Sequence, residues 1–369
     1  MGTATQTAAN SASATAANQK LTAAQRAAYF NKATRRMWQN YQTQSAADST
    51  SVQFNLPKSR LLGGCIVKVQ GILTATHASL TAYTPQEDAP YSYISNMAMQ
   101  YNAAFSPFNI SGKGLKDYNQ TILSTPIITS TTAGRGNAVL PLVSSVGGTA
   151  NAFKFFVWLP NMLNERDPVS LILLQSDETI VNVNVTLGTM NDIAPVVGGF
   201  TFATSNVTVT LMTDTYTVPA VAAAFPDISV LKLVQERTYP VVIGENVFVL
   251  STGRTYRKIG MILYNTATPA VRAADSVVTS NIQLISNQAD IPYNIAPDQL
   301  ADINAKECGG AMPNGSWYFD FSDNGVPNYG SSRDYIDTST LTEFWLKFTS
   351  SAAGTLRVWS ECTVRLTNS

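Results

Sequence analysis

Val181, Val183, Val185 and Leu187 alternate with Asn182, Asn184 and Thr186. A period of two places every second side chain on the same face of an extended strand, so this segment must bury one face and wet the other. Val207, Val209 and Leu211 repeat the pattern. Near the C-terminus Leu356, Val358, Ser360, Cys362, Val364 and Leu366 share one face, and Arg357, Trp359, Glu361, Thr363 and Arg365 share the other. An indole on that second face predicts that it meets another surface rather than open water. Phe153–Leu159 reads FKFFVWL, nearly continuous and closed by Pro160, which predicts a strand buried on both faces. Strand patterns also cover Leu61–Thr76, Val230–Val234, Val247–Leu250, Lys258–Tyr264, Ser280–Ile285, Trp317–Phe321 and Phe344–Phe348. A chain that carries this signal from Val52 onward is all-β.

The chain of 369 residues is too long for one ordinary sandwich and suits two. Pro219 and Pro226 bracket a small-residue stretch between strand patterns, and the domain boundary is placed there. Each half then offers the strand content of an eight-stranded jelly roll. No short repeat runs through the sequence, which argues against a propeller or solenoid. The expected organisation is a tail and helix over residues 1–50, a first jelly roll over 51–220 and a second over 221–369. Residues 84–120 and 286–315 are strand-poor and rich in Pro, Gly and Asn. They read as long functional or interface loops standing out from the rolls.

The first 47 residues contain Lys20, Arg26, Lys32, Arg35 and Arg36 but no Asp or Glu; the first acid is Asp48. Residues 1–19 read as a flexible polar tail. Thr22 and Gln25 fit a capping box, and the helix it opens is expected over 20–41, the only long helix of the chain. Ala27, Phe30, Met37 and Tyr41 fall near one face of it. Cations without opposing acids attract anionic lipid at about 1 kcal/mol each near the surface, and nucleic acid by the same electrostatics. No motif marks a specific nucleic-acid site. Elsewhere charge is sparse: charged residues are 13% of the chain, and 24 Lys+Arg balance 24 Asp+Glu. A weakly charged surface of zero net charge favours association.

No catalytic set emerges. His77 is the only histidine, and no GxSxG elbow surrounds a serine, so a hydrogen-bonded strand-end histidine is the preferred reading. Ser111-Gly-Lys-Gly114 lacks the remainder of a phosphate loop and reads as a turn. Cys65, Cys308 and Cys362 are odd in number and widely spaced, without a CxxC pair. Buried free thiols are expected at Cys65 and Cys362. Asp320, Asp323 and Asn324 before Gly325 lack the closing Glu of a calcium loop, and Asn324-Gly325 is a hairpin signal. No metal or cofactor is assigned. No signal peptide or membrane-spanning apolar run is found. The expected class is a non-enzymatic building block; a secreted all-β carbohydrate-binding or adhesin module is the alternative.

Several segments resemble, in order along the chain, those of tectivirus major capsid proteins, which build tailless icosahedral phages with an internal membrane. They are Leu21–Gln25 with its helix, Gly64–Val69, the His77-Ala78 pair, Phe156–Pro160, Asp323–Gly325 and Asn328–Gly330. The resemblance implies two jelly rolls side by side in each subunit, and homotrimers forming pseudo-hexagonal capsomers that tile a virion shell. It also implies other capsid proteins at the vertices and synthesis in the host cytoplasm. The N-terminal helix would lie under the shell toward the membrane, presenting Lys20, Arg26, Lys32, Arg35 and Arg36, while long loops form a tower. Other double-jelly-roll lineages, such as the corticoviruses, stay open.

Overall fold

The structure is a computed structural model. It describes residues 23–79, 81–82, 88–102, 105–123, 129–130, 138–139, 143–144, 146–163, 169–175, 180–194, 199–220, 224–226, 228–267, 270–308, 310–322 and 335–365. The tail, Lys20, the Thr22 cap and the Asn324-Gly325 hairpin fall outside these residues.

Among the described residues sixteen strands have five residues or more. The first eight are β1 (Arg36–Ser45), β2 (Ser51–Asn55), β3 (Leu61–Thr76), β4 (Ile94–Tyr101), β5 (Phe105–Ile110), β6 (Thr149–Pro160), β7 (Val181–Leu187) and β8 (Thr201–Tyr216). The second eight are β9 (Val230–Val241), β10 (Gly244–Val249), β11 (Thr255–Asn265), β12 (Ile282–Ser286), β13 (Asp290–Ile295), β14 (Ser316–Asp320), β15 (Phe344–Ser350) and β16 (Gly354–Arg365).

Strand order decides the fold. One sheet runs β1-β8-β3-β6 and another β10-β15-β12-β13. Between them a long central sheet runs β14-β11-β16-β9-β5-β4-β7-β2. In the first set of eight, the order first–eighth–third–sixth faces second–seventh–fourth–fifth. The second set repeats both orders: β9-β16-β11-β14 faces β10-β15-β12-β13. That is the jelly-roll topology twice over. The two rolls share the central sheet through a parallel pairing of β9 with β5, at Val234↔Phe108 and Gln235↔Asn109.

Alternation supplies each core. Val67, Val69, Phe155, Val157, Val183, Val185, Val209 and Leu211 meet between the first roll's sheets. Met261, Phe248, Leu284, Leu346, Phe348 and Val358 meet in the second. β6 departs from expectation: Phe153, Phe155, Val157 and Leu159 are buried, whereas Lys154, Phe156 and Trp158 are only half-buried. It alternates because one face lines the core while the other is partly open.

Three further expectations are corrected. The chain has three helices of comparable length among the described residues, α1 (Ala23–Ala33), α2 (Gly112–Leu123) and α3 (Pro297–Cys308). The segment 84–120 is no protruding loop, since β4, β5 and most of α2 lie within it and Tyr91, Tyr93, Met97, Phe108 and Tyr118 are fully buried. The segment 286–315 holds β13 and α3, whose Leu300, Asn304 and Cys308 are buried. Ser111–Gly114 is the start of α2 rather than a turn. Ser111 Oγ accepts the Gly114 amide at 3.1 Å, as an N-cap does. Glycine at 112 is required because a Cβ there would overlap the Tyr91 carbonyl.

The expected second surface for Trp359 exists. Trp359 is 1% exposed and meets Tyr118 of α2 edge-on at 5.5 Å. Cys65, Cys308 and Cys362 are all buried free thiols. His77 stacks on Phe200 at 4.5 Å and bonds locally to Ser79.

Candidate assembly surfaces

The arm is shorter as a helix than its apolar stripe suggests. α1 ends at Ala33, Thr34 returns its hydroxyl to the Phe30 carbonyl at 2.8 Å, and β1 begins at Arg36. Residues 34–41 leave the helix because Arg36–Ser45 add an edge strand to β8, with Met37↔Thr215 and Thr43↔Thr210 in register. The stripe expected through Phe30, Met37 and Tyr41 is therefore split between two elements. Among the described side chains of α1, Phe30 is the buried one. It is 2% exposed and packs on Tyr216 at 5.3 Å, within a small cluster with Leu61, Met162 and Leu171.

The five basic residues separate into different situations. Lys32 and Arg35 are exposed. Arg35 is pinned through its backbone, its amide donating to Thr217 Oγ1 at 2.9 Å. Arg36 does not stand unopposed: its Nε and Nη2 donate to the two carboxylate oxygens of Asp214 at 2.9 and 2.7 Å. A fork-to-fork pair of this kind fixes geometry as well as charge. The guanidinium also lies 4.8 Å from the Trp38 ring centre. Lys20 and the Arg26 side chain are outside the described residues. Asp214 was not legible as the partner, since sequence separation hides the β1–β8 register that brings them together.

A second surface is internal. α2 lies against the face of the central sheet that the second roll does not use, and its polar side chains join the rolls. Arg272 donates to Asp88 and Asp117 at 2.7 Å each, and also bonds Ser316. Tyr264 donates to Asp88 at 2.6 Å and Lys116 pairs with Asp88 at 2.8 Å. Burial pushes the Asp88 carboxyl up, but Lys116 and Arg272 together hold it well below the usual carboxylate range. Nearby, Tyr118 donates to Glu361 at 2.5 Å, and Arg257 bonds the other carboxylate oxygen. Burial opposes ionisation of Glu361, yet Arg257, then Lys232 and Lys258, bring it down to about 2. Burial pushes the Lys232 ammonium down to about 8 against the pull of Glu361. Ser111 donates from both its amide and hydroxyl to Glu236, at 2.9 and 2.7 Å, and Glu236 also takes Arg357 at 2.6 Å. Among the described residues no group of three or more His, Cys, Asp and Glu is placed to hold a metal ion.

No helix of the described residues is long and apolar enough to cross a membrane. No protein-family model matches the chain, and no curated protein matches it. Solved structures do. The crystal structure of the STIV major capsid protein aligns over 90% of this chain and 97% of its own, with TM-score 0.68 at 13% identity. The Faustovirus major capsid protein aligns over 90% of each chain, with TM-score 0.58 at 10% identity. The major capsid protein P2 of bacteriophage PM2 aligns over 90% of this chain and 99% of its own, with TM-score 0.53 at 11% identity. At such identities the likeness speaks for architecture, and it agrees with the strand orders above: this chain has the double jelly-roll fold.

Proposed function

We propose that the chain is a major capsid protein, a virion component without catalytic activity that assembles into an icosahedral shell. The observation that carries this reading is the twice-repeated jelly-roll order fused through one central sheet. It makes a single chain a two-fold-repeated wall unit, and the similar structures that span nearly the whole chain are those of major capsid proteins. The rolls are taken as residues 51–220 and 221–369, with β1 supplied from the segment before. Three copies then give six rolls and a pseudo-hexagonal capsomer of the tectivirus type. These capsomers would meet one another, and other capsid proteins at the vertices, after synthesis in the host cytoplasm.

The arm is assigned to the inner side of the shell, over an internal membrane. Exposed Lys32 and Arg35 support this, with Lys20 and Arg26 in the same acid-free stretch; Arg36 fixes the arm rather than meeting lipid. Size-exclusion chromatography with light scattering tests the assembly reading: a stable trimer is expected, and a monomer at micromolar concentration overturns it.

A further inference from the structure

The end of the first roll that carries the arm also holds a polar groove. Val207, Val209 and Leu211 of β8 face the core, and Thr213 and Thr215 continue the same row. The core thus turns polar where it runs out. A groove of about 380 Å³ opens there, lined among others by Gln39, Tyr41, Ser59, Arg60, Thr213 and Thr215, with no acid among its lining residues. Arg60 is held over it in a left-handed backbone conformation, φ 71°. Its carbonyl accepts the Leu174 amide at 3.0 Å, and its Nη1 donates to Gln39 Oε1 at 3.1 Å. The lining therefore offers a guanidinium, hydroxyls and amides, a donor-rich set suited to an anion.

The surroundings narrow the choice of anion. Tyr29, Trp38 and Tyr41 are 52%, 45% and 37% exposed, and they are the exposed aromatic residues among those described. All three fall between residues 29 and 41, the stretch that also carries the exposed cations Lys32 and Arg35, and the exposed Lys58 stands in sequence between the groove residues Pro57 and Ser59. Tyr41 lines the groove itself, and Trp38, in register with Asp214, stands on the other face of the sheet at the same end. The neighbouring acid Asp214 is already engaged by Arg36. Aromatic rings with a polar tip, interleaved with cations, are what settles at a lipid–water boundary. A freely dissolved anion gains nothing from the rings.

We infer that this groove is a headgroup site for an anionic phospholipid, with Arg60 taking the phosphate and Tyr29 and Trp38 resting at headgroup level. It rests on the reading that the arm end faces a membrane, and makes that contact a defined site rather than diffuse attraction. The test is sedimentation of the full chain with phosphatidylcholine vesicles, with and without phosphatidylglycerol. Binding to the mixed vesicles is expected, with a blue shift of Trp38 emission that a Trp38→Phe variant lacks. Arg60→Glu is expected to weaken it about tenfold. Ser59→Glu is expected to do the same while keeping the Arg60–Gln39 bond, which guards against a folding defect in the first variant. If both bind as the parent does while Lys32→Glu/Arg35→Glu loses binding, the groove is no site and the membrane-facing arm stands. If the parent binds no vesicle, both readings fall. Displacement by millimolar inorganic phosphate identifies a free anion as the ligand and overturns the lipid assignment.

Discussion

Single side chains in this chain carry consequences that charge counting hides. Glu307, in the last turn of α3, keeps one carboxylate oxygen buried without a hydrogen-bond partner. Burial raises it from 4.5 to about 7, and Asp320 adds to the rise. The native state therefore binds this proton more tightly than the unfolded chain. Its contribution to stability is fully present below pH 4.5 and is lost as pH rises through about 7. Glu307→Gln should raise the melting temperature at pH 8 by a few degrees and do nothing comparable at pH 4.5. Equal shifts at both pH values, read by thermal denaturation, would refute the assignment. Gly260 is decisive for a steric reason: a Cβ there would overlap the Trp359 indole, itself wedged against Tyr118. Gly260→Ala should cost about 3 kcal/mol, measured by urea unfolding. A neutral substitution would mean that the Trp359–Tyr118 contact gives way easily.

At the scale of elements, legibility followed periodicity. β7, β8 and β16 were readable because one face of each is buried and the other is not, which a period of two encodes directly. β1 was not. Met37, Trp38 and Tyr41 fit a helical spacing from Phe30, and nothing local says that Arg36–Ser45 pairs with residues some 170 positions away. α2 is hard to read because its apolar stripe, Leu115, Tyr118 and Ile122, is narrow, while the polar sides of a helix wedged between two rolls are buried as well. Its glycines, chosen for close approach, look like turn residues. The basic arm was legible as a composition but not as a geometry, since only the β1–β8 register reveals that Arg36 belongs to Asp214. The boundary between helix and strand now sets a deletion experiment. Removing residues 1–34 should leave a folded, soluble chain, losing the Phe30 anchor and the exposed Lys32. Removing residues 1–45 also takes β1, which opens the β8 edge and leaves Asp214 buried without its cation. That protein should aggregate. If the longer deletion stays as soluble and as stable as the shorter one by size exclusion and thermal denaturation, β1 is dispensable to the sheet.

For the whole molecule, the question is whether two rolls behave as two domains or one. Each repeats the other even in a side-chain device invisible as sequence repetition. Tyr41 of β1 donates to the Asn55 carbonyl ending β2, at 2.5 Å, and Tyr239 of β9 donates to the Val249 carbonyl ending β10, at 3.0 Å. Yet the β9–β5 pairing and the buried ion pairs around α2 tie them together. Arg272 binds Asp88 and Asp117, both from the first half of the chain, with side chains 0–1% exposed. An ion cluster so deeply buried adds little over an apolar replacement, but removing one partner strands the others. The intact chain should therefore unfold in one calorimetric transition. Arg272→Met leaves two carboxylates facing one another with only Lys116 to compensate Asp88, and should cost about 3–5 kcal/mol. Because the loosened contact is the one between the rolls, it should also split the transition in two. Combining it with Asp88→Asn and Asp117→Asn removes the stranded carboxylates, with the partly exposed Lys116 able to turn its ammonium to water, and should recover most of the stability and the single transition. Two transitions in the parent chain would show that the rolls fold independently. A triple variant no better than Arg272→Met would show that the seam is held by its shape rather than by its charges.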